Sequence, residues 1–183
     1  MATNGGGLPY FDYVFELLRR GDRSAETTFG RHLHWGYWPT PPHAAVTDVD
    51  FAAAAERLTD ELCALAGMGS GQVVLDAGCG FGGTLSFLND RYSDVVLVGL
   101  DIDQRQLARA RGLLVARPGN RVELVLGDAS KLPLADATFD RVLAVECIFH
   151  FPSREVSRRM GAVEPLTRRA RAWAEAKVAE SSS

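Results

Sequence analysis

The sequence predicts an α/β protein with an open parallel sheet and helices on both faces. Three observations carry this. Short aliphatic and β-branched runs recur at Val73, Val95, Arg121 and Phe139, each of a length that suits one strand. Segments with helical spacing separate them, and parallel neighbours need such crossover connections. The first run, VVLDAGCGFGGT over 73–84, breaks into glycines at 78, 80, 82 and 83, the pattern of a buried strand turning sharply into a helix. Without a Cβ, such residues admit positive φ and let backbone approach a ligand closely.

A helical N-terminal extension comes first. PYFDYVFELLRR, from Pro9 to Arg20, is apolar along one side, and Gly21 follows as a stop. Its aromatics suit either a core or a pocket wall. GRHLHWGYWPTPPH, from Gly30 to His43, has no clean period and reads as a loop, with Trp35, Tyr37 and Trp38 as candidate lid residues. His32 and His34 lack an accompanying acid or cysteine cluster, so ordinary hydrogen bonding is expected of them and no metal site.

The clearest helix is Val46 to Ala66, where Phe51, Ala55, Leu58, Leu62 and Leu65 fall on one face. Asp48 or Asp50 caps its start, Gly67 ends it, and its alanine run reads as helix propensity. After the glycine turn, Leu85 to Arg91 continues as helix and Val95 to Leu100 forms the second strand. Asp103 with Gln106 caps a helix through about Ala116, with Leu107, Ala110 and Leu114 inward. Pro118 to Asn120 turn the chain into a third strand, Arg121 to Leu126, and Phe139 to Val145 makes a fourth. The expected organisation is a helix and aromatic loop over 1–45, a binding core over 46–152 and an atypical tail over 153–183.

Composition narrows the function. With 183 residues, 46% of them hydrophobic, and a formal charge of -3, the chain suits one globular domain and carries no basic excess for nucleic acid. Cys63, Cys79 and Cys147 are widely spaced and odd in number, which suggests neither a disulfide framework nor a zinc site and fits a reducing cytoplasm. No apolar run reaches the ~18 residues of a membrane span. A small-molecule partner is the expectation.

In open parallel sheets ligands gather at the carboxyl ends of the strands. Here the four ends deliver Asp76, Asp101, Asp128 and Glu146. Each acid alone is explicable as a helix cap or turn, but together they describe a binding rim. Asp76 stands where a dinucleotide would put its pyrophosphate, and a carboxylate there repels it. The Lys followed by Ser or Thr of a phosphate loop is also missing after the glycines. A ligand with hydroxyls and an ammonium group and without phosphate suits this rim.

LDAGCGFGG, GLDID and LGDASKLPLADATFDRVLAVECIFHF, taken in order, resemble the Rossmann-like S-adenosylmethionine-dependent methyltransferases over roughly residues 46–152. HLHWGYW and the helix at 51–66 are similar to the small-molecule branch with the sterol, tocopherol and natural-product sugar O-methyltransferases. The resemblance implies that Asp76, Gly78, Cys79 and Gly80 floor the methionine moiety of S-adenosyl-L-methionine, whose product is S-adenosyl-L-homocysteine. It implies that Asp101 accepts from the ribose hydroxyls with Ile102 against the adenine, that Asp128 and Ala129 meet the adenine amino group, and that Glu146 and Cys147 close the site.

Methyl transfer is an in-line displacement at a sulfonium, so alignment and exclusion of water supply much of the rate and no metal is inherently required. An oxygen acceptor benefits from a base, and His150 is the candidate, against a packed role between Phe149 and Phe151. The family's sheet usually has seven strands, whereas only four are recognisable before SREVSRRMGAVEPLTRRARAWAEAKVAESSS, which suggests one amphipathic helix with an arginine-rich solvated face. Two expectations follow: a truncated or frameshifted longer enzyme that lacks much of its acceptor pocket, and an exposed edge on the fourth strand that a homo-oligomer would cover. Three functions remain open at this point. They are a small-molecule methyltransferase, a noncatalytic binding protein that keeps the donor fold, and a nucleotide-dependent oxidoreductase.

Overall fold

The computed structural model describes residues 9–40, 45–131, 139–147 and 150. The chain order is α1 (Pro9–Arg19), α2 (Arg23–Thr28), α3 (Asp48–Leu65), β1 (Val73–Ala77), α4 (Gly83–Arg91), β2 (Val96–Asp101), α5 (Gln104–Leu113), β3 (Arg121–Leu126) and β4 (Arg141–Leu143), with a short 3₁₀ turn at Ala129–Lys131 between β3 and β4. The strands form one parallel sheet in the order β3-β2-β1-β4. Leu75 pairs with Val98 on one side and Val142 on the other, so β1 is a central strand, and all five of its residues are buried.

Period two sorts β1 between two apolar clusters. Val74, with Leu97 of β2 and Leu143 of β4, packs against Leu85 and Leu88 of α4, Leu107 of α5 and Cys63 of α3. Val73, Leu75 and Ala77 join Val98 and Leu100 on the other side, where Ala129 and Phe139 close over them. At the end of the sheet away from the glycine turn, Asn120 accepts from Val95 N at 3.2 Å and donates to Tyr92 O at 2.9 Å and Asn89 O at 3.1 Å. These bonds satisfy buried loop backbone and hold β2, α4 and the entry to β3 in register.

Several elements differ from expectation, each for a local reason. The segment after α1 makes α2, six residues long and capped by Asp22, whose Oδ1 accepts from Ala25 N at 2.9 Å. The N-cap of α3 is Thr47, in a reciprocal capping box with Asp50, rather than either aspartate. Its buried face runs through Ala54, Ala55, Thr59 and Cys63, while Leu65 is 83% exposed. The alanines are more than helix formers. A Cβ on Gly36 would stand 2.4 Å from Ala54 Cβ, so small residues on both sides let the 30–38 loop lie directly on α3. The fourth strand pairs over only Arg141–Leu143, although Phe139 before it is buried, because an apolar run reports burial and not pairing. Helix α5 stops at Leu113, short of Ala116. The expected tail over 153–183 lies outside the described residues.

Candidate functional site

Where β1 ends, the ladder to β2 runs on for two residues, with Gly78 N and Cys79 N both donating to Leu100 O at 2.7 and 3.0 Å. The chain then turns through positive φ at Gly78 (78°), Gly80 (56°) and Gly82 (78°) into α4. A Cβ on Gly78 would lie 2.8 Å from both Cβ and Sγ of Cys147, so the turn is closed to any larger residue there. Gly80 N donates to Asp101 Oδ2 at 2.9 Å, which ties the glycine loop to the end of β2. Asp101 Oδ1 accepts from Asp103 N at 2.8 Å, and Asp103 caps α5.

Asp76 is the most deeply buried acid in this arrangement. Only 1% exposed, its carboxyl leaves Oδ1 without a hydrogen-bond partner. Burial, with the charge of nearby Asp101 adding to it, pushes the Asp76 carboxyl up to about 7. Burial also raises Asp101. Cys147, whose Sγ donates to Ala77 O at 2.8 Å, is pushed up to about 12 by burial and by both aspartates, and Cys79 is raised for the same reasons. Both thiols are therefore protonated, weak nucleophiles at neutral pH.

A cavity of about 740 Å³ opens over these strand ends. Of the residues singled out in the sequence, Asp76, Gly78, Cys79, Gly80, Asp101, Ile102, Asp128, Ala129, Glu146, Cys147, His150 and Trp35 all line it. Tyr37 and Trp38 do not. Tyr37 N instead donates to Ala54 O at 2.9 Å, and Trp38 packs edge-on to Phe51 with centroids 6.0 Å apart. Asp128 Oδ1 accepts from Ser130 N and Oγ at 2.8 and 2.6 Å, and these bonds hold its carboxyl below the usual range. His150 donates its backbone N–H to Cys147 O at 2.9 Å, and its ring meets Phe11 edge-on at 6.4 Å.

The opposite wall is aromatic, and of its members the sequence singled out Trp35 as a lid residue and left the α1 aromatics between core and pocket wall, while Phe29 and Phe51 had no such role. Tyr10 and Phe11 of α1, Phe29 after α2, Trp35 and Phe51 of α3 line the cavity and touch in series, Tyr10–Phe29 at 6.3 Å, Phe29–Phe51 at 6.0 Å and Trp35–Phe51 at 5.9 Å. The aromatics of α1 thus divide, since Phe15 packs on buried Phe81 at 5.5 Å while Tyr10 and Phe11 face the cavity. Gln106 is a second addition. It reads as half of a capping pair, yet it is buried and lines the cavity, with its Oε1 3.3 Å from where a Cβ on Gly80 would stand.

The loop over 30–38 is strapped down rather than free. Arg31 Nε donates to Glu56 Oε1 at 2.5 Å, His32 Nε2 meets the same oxygen at 2.9 Å, and Arg31 also reaches Ser86 Oγ at 3.0 Å. Burial works against the Glu56 charge, but the bonds and charges of His32 and Arg31 outweigh it and hold the carboxyl down to about 2. His34 bonds Trp35 O at 2.8 Å and Thr59 Oγ1 at 3.2 Å, and burial lowers its pKa. The two histidines are hydrogen-bonded as expected, except that buried His32 Nδ1 has no partner.

Comparison with known proteins matches residues 74–168 to the family described as "Methyltransferase domain", and the match runs past Pro152 into the tail. "Methyltransferase GfsG" of Streptomyces halstedii is 36% identical over 157 residues, 84% of this chain and 52% of that protein. "27-O-demethylrifamycin SV methyltransferase" of Amycolatopsis mediterranei (strain S699) is 34% identical over 127 residues, 69% of this chain and 44% of that protein. Among solved structures, "Crystal Structure of the [4+2]-Cyclase SpnF" superposes with a TM-score of 0.55 and 28% identity, over 73% of this chain and 45% of that one. The chain spans about half the length of the curated relatives it matches. With more than half of its residues inside the family match, and a glycine turn and parallel sheet where that match lies, the chain belongs to the methyltransferase-domain family.

Proposed function

We propose that the chain holds the methyl donor of an S-adenosylmethionine-dependent methyltransferase that acts on a small-molecule acceptor, by O-methylation. The observation that carries this is Asp76, a buried carboxyl with an unpartnered oxygen in a glycine cradle that repels phosphate and suits an ammonium group. Bound there, S-adenosyl-L-methionine supplies an electrophilic methyl group and a thioether leaving group, S-adenosyl-L-homocysteine.

In this reading Asp76, Gly78, Cys79 and Gly80 receive the amino-acid end, and the preset Gly80–Asp101 bond orients the Asp101 carboxylate toward ribose hydroxyls. Ile102, 64% exposed at the cavity, offers an apolar surface to the adenine, with Asp128 and Ala129 at its polar edge. Cys147 packs beneath Gly78 and Glu146 borders the rim. Trp35 covers the cavity, and Tyr37 and Trp38 support it from behind. His150, at the cavity beside Phe11, takes the acceptor's proton.

Titration calorimetry with S-adenosylmethionine, S-adenosylhomocysteine and nicotinamide cofactors tests the donor. Binding of both sulfur compounds is expected, and binding of the nicotinamide cofactors alone would overturn the reading in favour of an oxidoreductase. A methylation screen across phenols, sugars, amines and sterols, read by intact mass, tests the acceptor class.

A second reading rests on the likeness to a protein described as a [4+2]-cyclase, since that description gives a chain of this fold a reaction other than methyl transfer. Donor binding with no methylated product from any acceptor class favours a binding protein that keeps the fold. Three free cysteines, and no helix among the described residues long and apolar enough to cross a membrane, support a cytoplasmic placement, which fractionation tests. Among the described residues β4 pairs only with β1, which supports self-association through that edge, and light scattering reads the mass directly.

A further inference from the structure

The carboxylate of Glu146 has a task that its place in the rim does not announce. It reaches across the cavity, and Oε2 accepts from the backbone N–H of Trp35 at 2.7 Å, joining residues 111 apart in sequence. To make that reach Glu146 takes a φ of 49°, in the left-handed region, where a residue with a Cβ is strained by about 1–2 kcal/mol. Of the described non-glycine residues only Asp94 shares such a φ. A hydrogen bond that satisfies a backbone amide offsets strain of that size.

What the bond positions is the end of the aromatic wall. Trp35 is 69% exposed, so burial does little to fix its ring. Its ring contact is Phe51 at 5.9 Å, and Phe51 continues to Phe29 at 6.0 Å. The cavity is thus two-sided, with carboxylates on the strand ends and π-surface on the helices. A polar donor fills the first side, and the second recognises an uncharged, flat, apolar body, since aromatic faces gain most from stacking and from area removed from water.

We infer that Glu146 is a positioning residue for the acceptor: through the Trp35 amide it sets an aromatic wall that selects uncharged planar or apolar acceptors. This rests on the donor reading of the same cavity. No charge on Glu146 is required in this role, only an acceptor oxygen at that point, so glutamine replaces it and alanine does not.

The test uses the whole chain, with 1-naphthol as an uncharged planar probe and glucose as a polar one. Three proteins are compared: the wild type, Glu146→Gln and Glu146→Ala. Hydrogen exchange at the Trp35 amide is followed without ligand, and probe affinity is measured at saturating S-adenosylhomocysteine. Losing a hydrogen bond of this kind corresponds to about tenfold or more, so Glu146→Ala should exchange the Trp35 amide about tenfold faster and bind 1-naphthol about tenfold more weakly. Glu146→Gln should stay within about threefold of the wild type on both. Glucose should bind none of them.

Unchanged Trp35 exchange in Glu146→Ala overturns the positioning role, and so does damage in Glu146→Gln equal to that in Glu146→Ala. Glucose bound as well as 1-naphthol by the wild type overturns the acceptor class. If S-adenosylhomocysteine itself fails to bind the wild type, the donor reading falls, while Trp35 exchange still decides the role of Glu146.

Discussion

Replacing Asp76 by asparagine should stabilise the fold at neutral pH while it weakens the ligand site. The carboxyl sits at about 7 against an ordinary 3.8, a gap of about three units. At about 1.4 kcal/mol per unit, ionising it in the folded state at pH 7 costs roughly 4 kcal/mol. The sign follows from proton binding: between pH 4 and 7 the folded chain keeps a proton that the unfolded chain has released, so stability falls as pH rises through that window and levels off above it. Asparagine has no such titration. Its amide adds a cost of its own, but one independent of pH, so the slope is the readout. Urea unfolding midpoints from pH 4.5 to 7.5 should show the variant gaining on the wild type by roughly 3–4 kcal/mol across the range. Binding should run the other way. An ammonium group draws the proton off Asp76, so wild-type affinity for S-adenosylhomocysteine should climb from pH 5 to 7, and Asp76→Asn should bind at least about tenfold more weakly with a flat profile. Parallel pH profiles for the two proteins, in stability and in affinity, would refute the reasoning.

Other substitutions probe separate parts of the site. Gly78→Ala combines a φ of 78° with contacts at 2.8 Å to Cys147, so a loss of about 2 kcal/mol or more is expected in urea unfolding, together with loss of S-adenosylhomocysteine binding. Glu56, held down to about 2 beside Arg31 and His32, stabilises the fold above pH 4.5 and loses that contribution as pH falls toward 2. Because a third of its side chain is exposed, roughly 1–2 kcal/mol is expected after solvent screening, and the wild-type advantage over Glu56→Gln should vanish in acid unfolding curves. With any acceptor the methylation screen identifies, His150→Gln should lower kcat on the order of a hundredfold and leave S-adenosylhomocysteine affinity unchanged, as calorimetry beside steady-state kinetics would show.

The strand-end half of the cavity was legible because each of its signals is local. A glycine with positive φ, an aliphatic run and an acid at the strand end all lie within a dozen residues, as in Val73–Thr84. Helix α2 was not legible, since RSAETT is short and polar and its stability comes from the Asp22 cap and from contact with α3. The inward face of α3 was misjudged because Leu65 is larger and more apolar than Ala54. The loop at Gly36 needs close approach, and close approach selects alanine over leucine. The aromatic wall as a continuous surface was not legible, for a different reason. Tyr10, Phe29, Trp35 and Phe51 come from separate segments, and no periodicity within a segment records where tertiary packing will bring four rings together.

The attachments of the 30–38 strap are unequal, and that inequality bears on how a ligand gets in. Toward α3 it holds through Arg31 and His32 on Glu56, His34 on Thr59, Tyr37 N on Ala54 O and Arg57 Nε on Tyr37 O. Toward α4 it adds Arg31 on Ser86 and the close seating of His32 against Gly83. Across the cavity, toward β4, it holds among the described residues by the bond from Trp35 N to Glu146. Opening at the α3 side breaks several partly buried polar contacts at once, each costly to leave unmade. Opening at the Glu146 side breaks one exposed bond and relieves a strained φ. Among the described contacts, the Trp35–Glu146 bond is therefore the one that opens at least cost, and opening there would uncover the cavity between Trp35 and the end of β4.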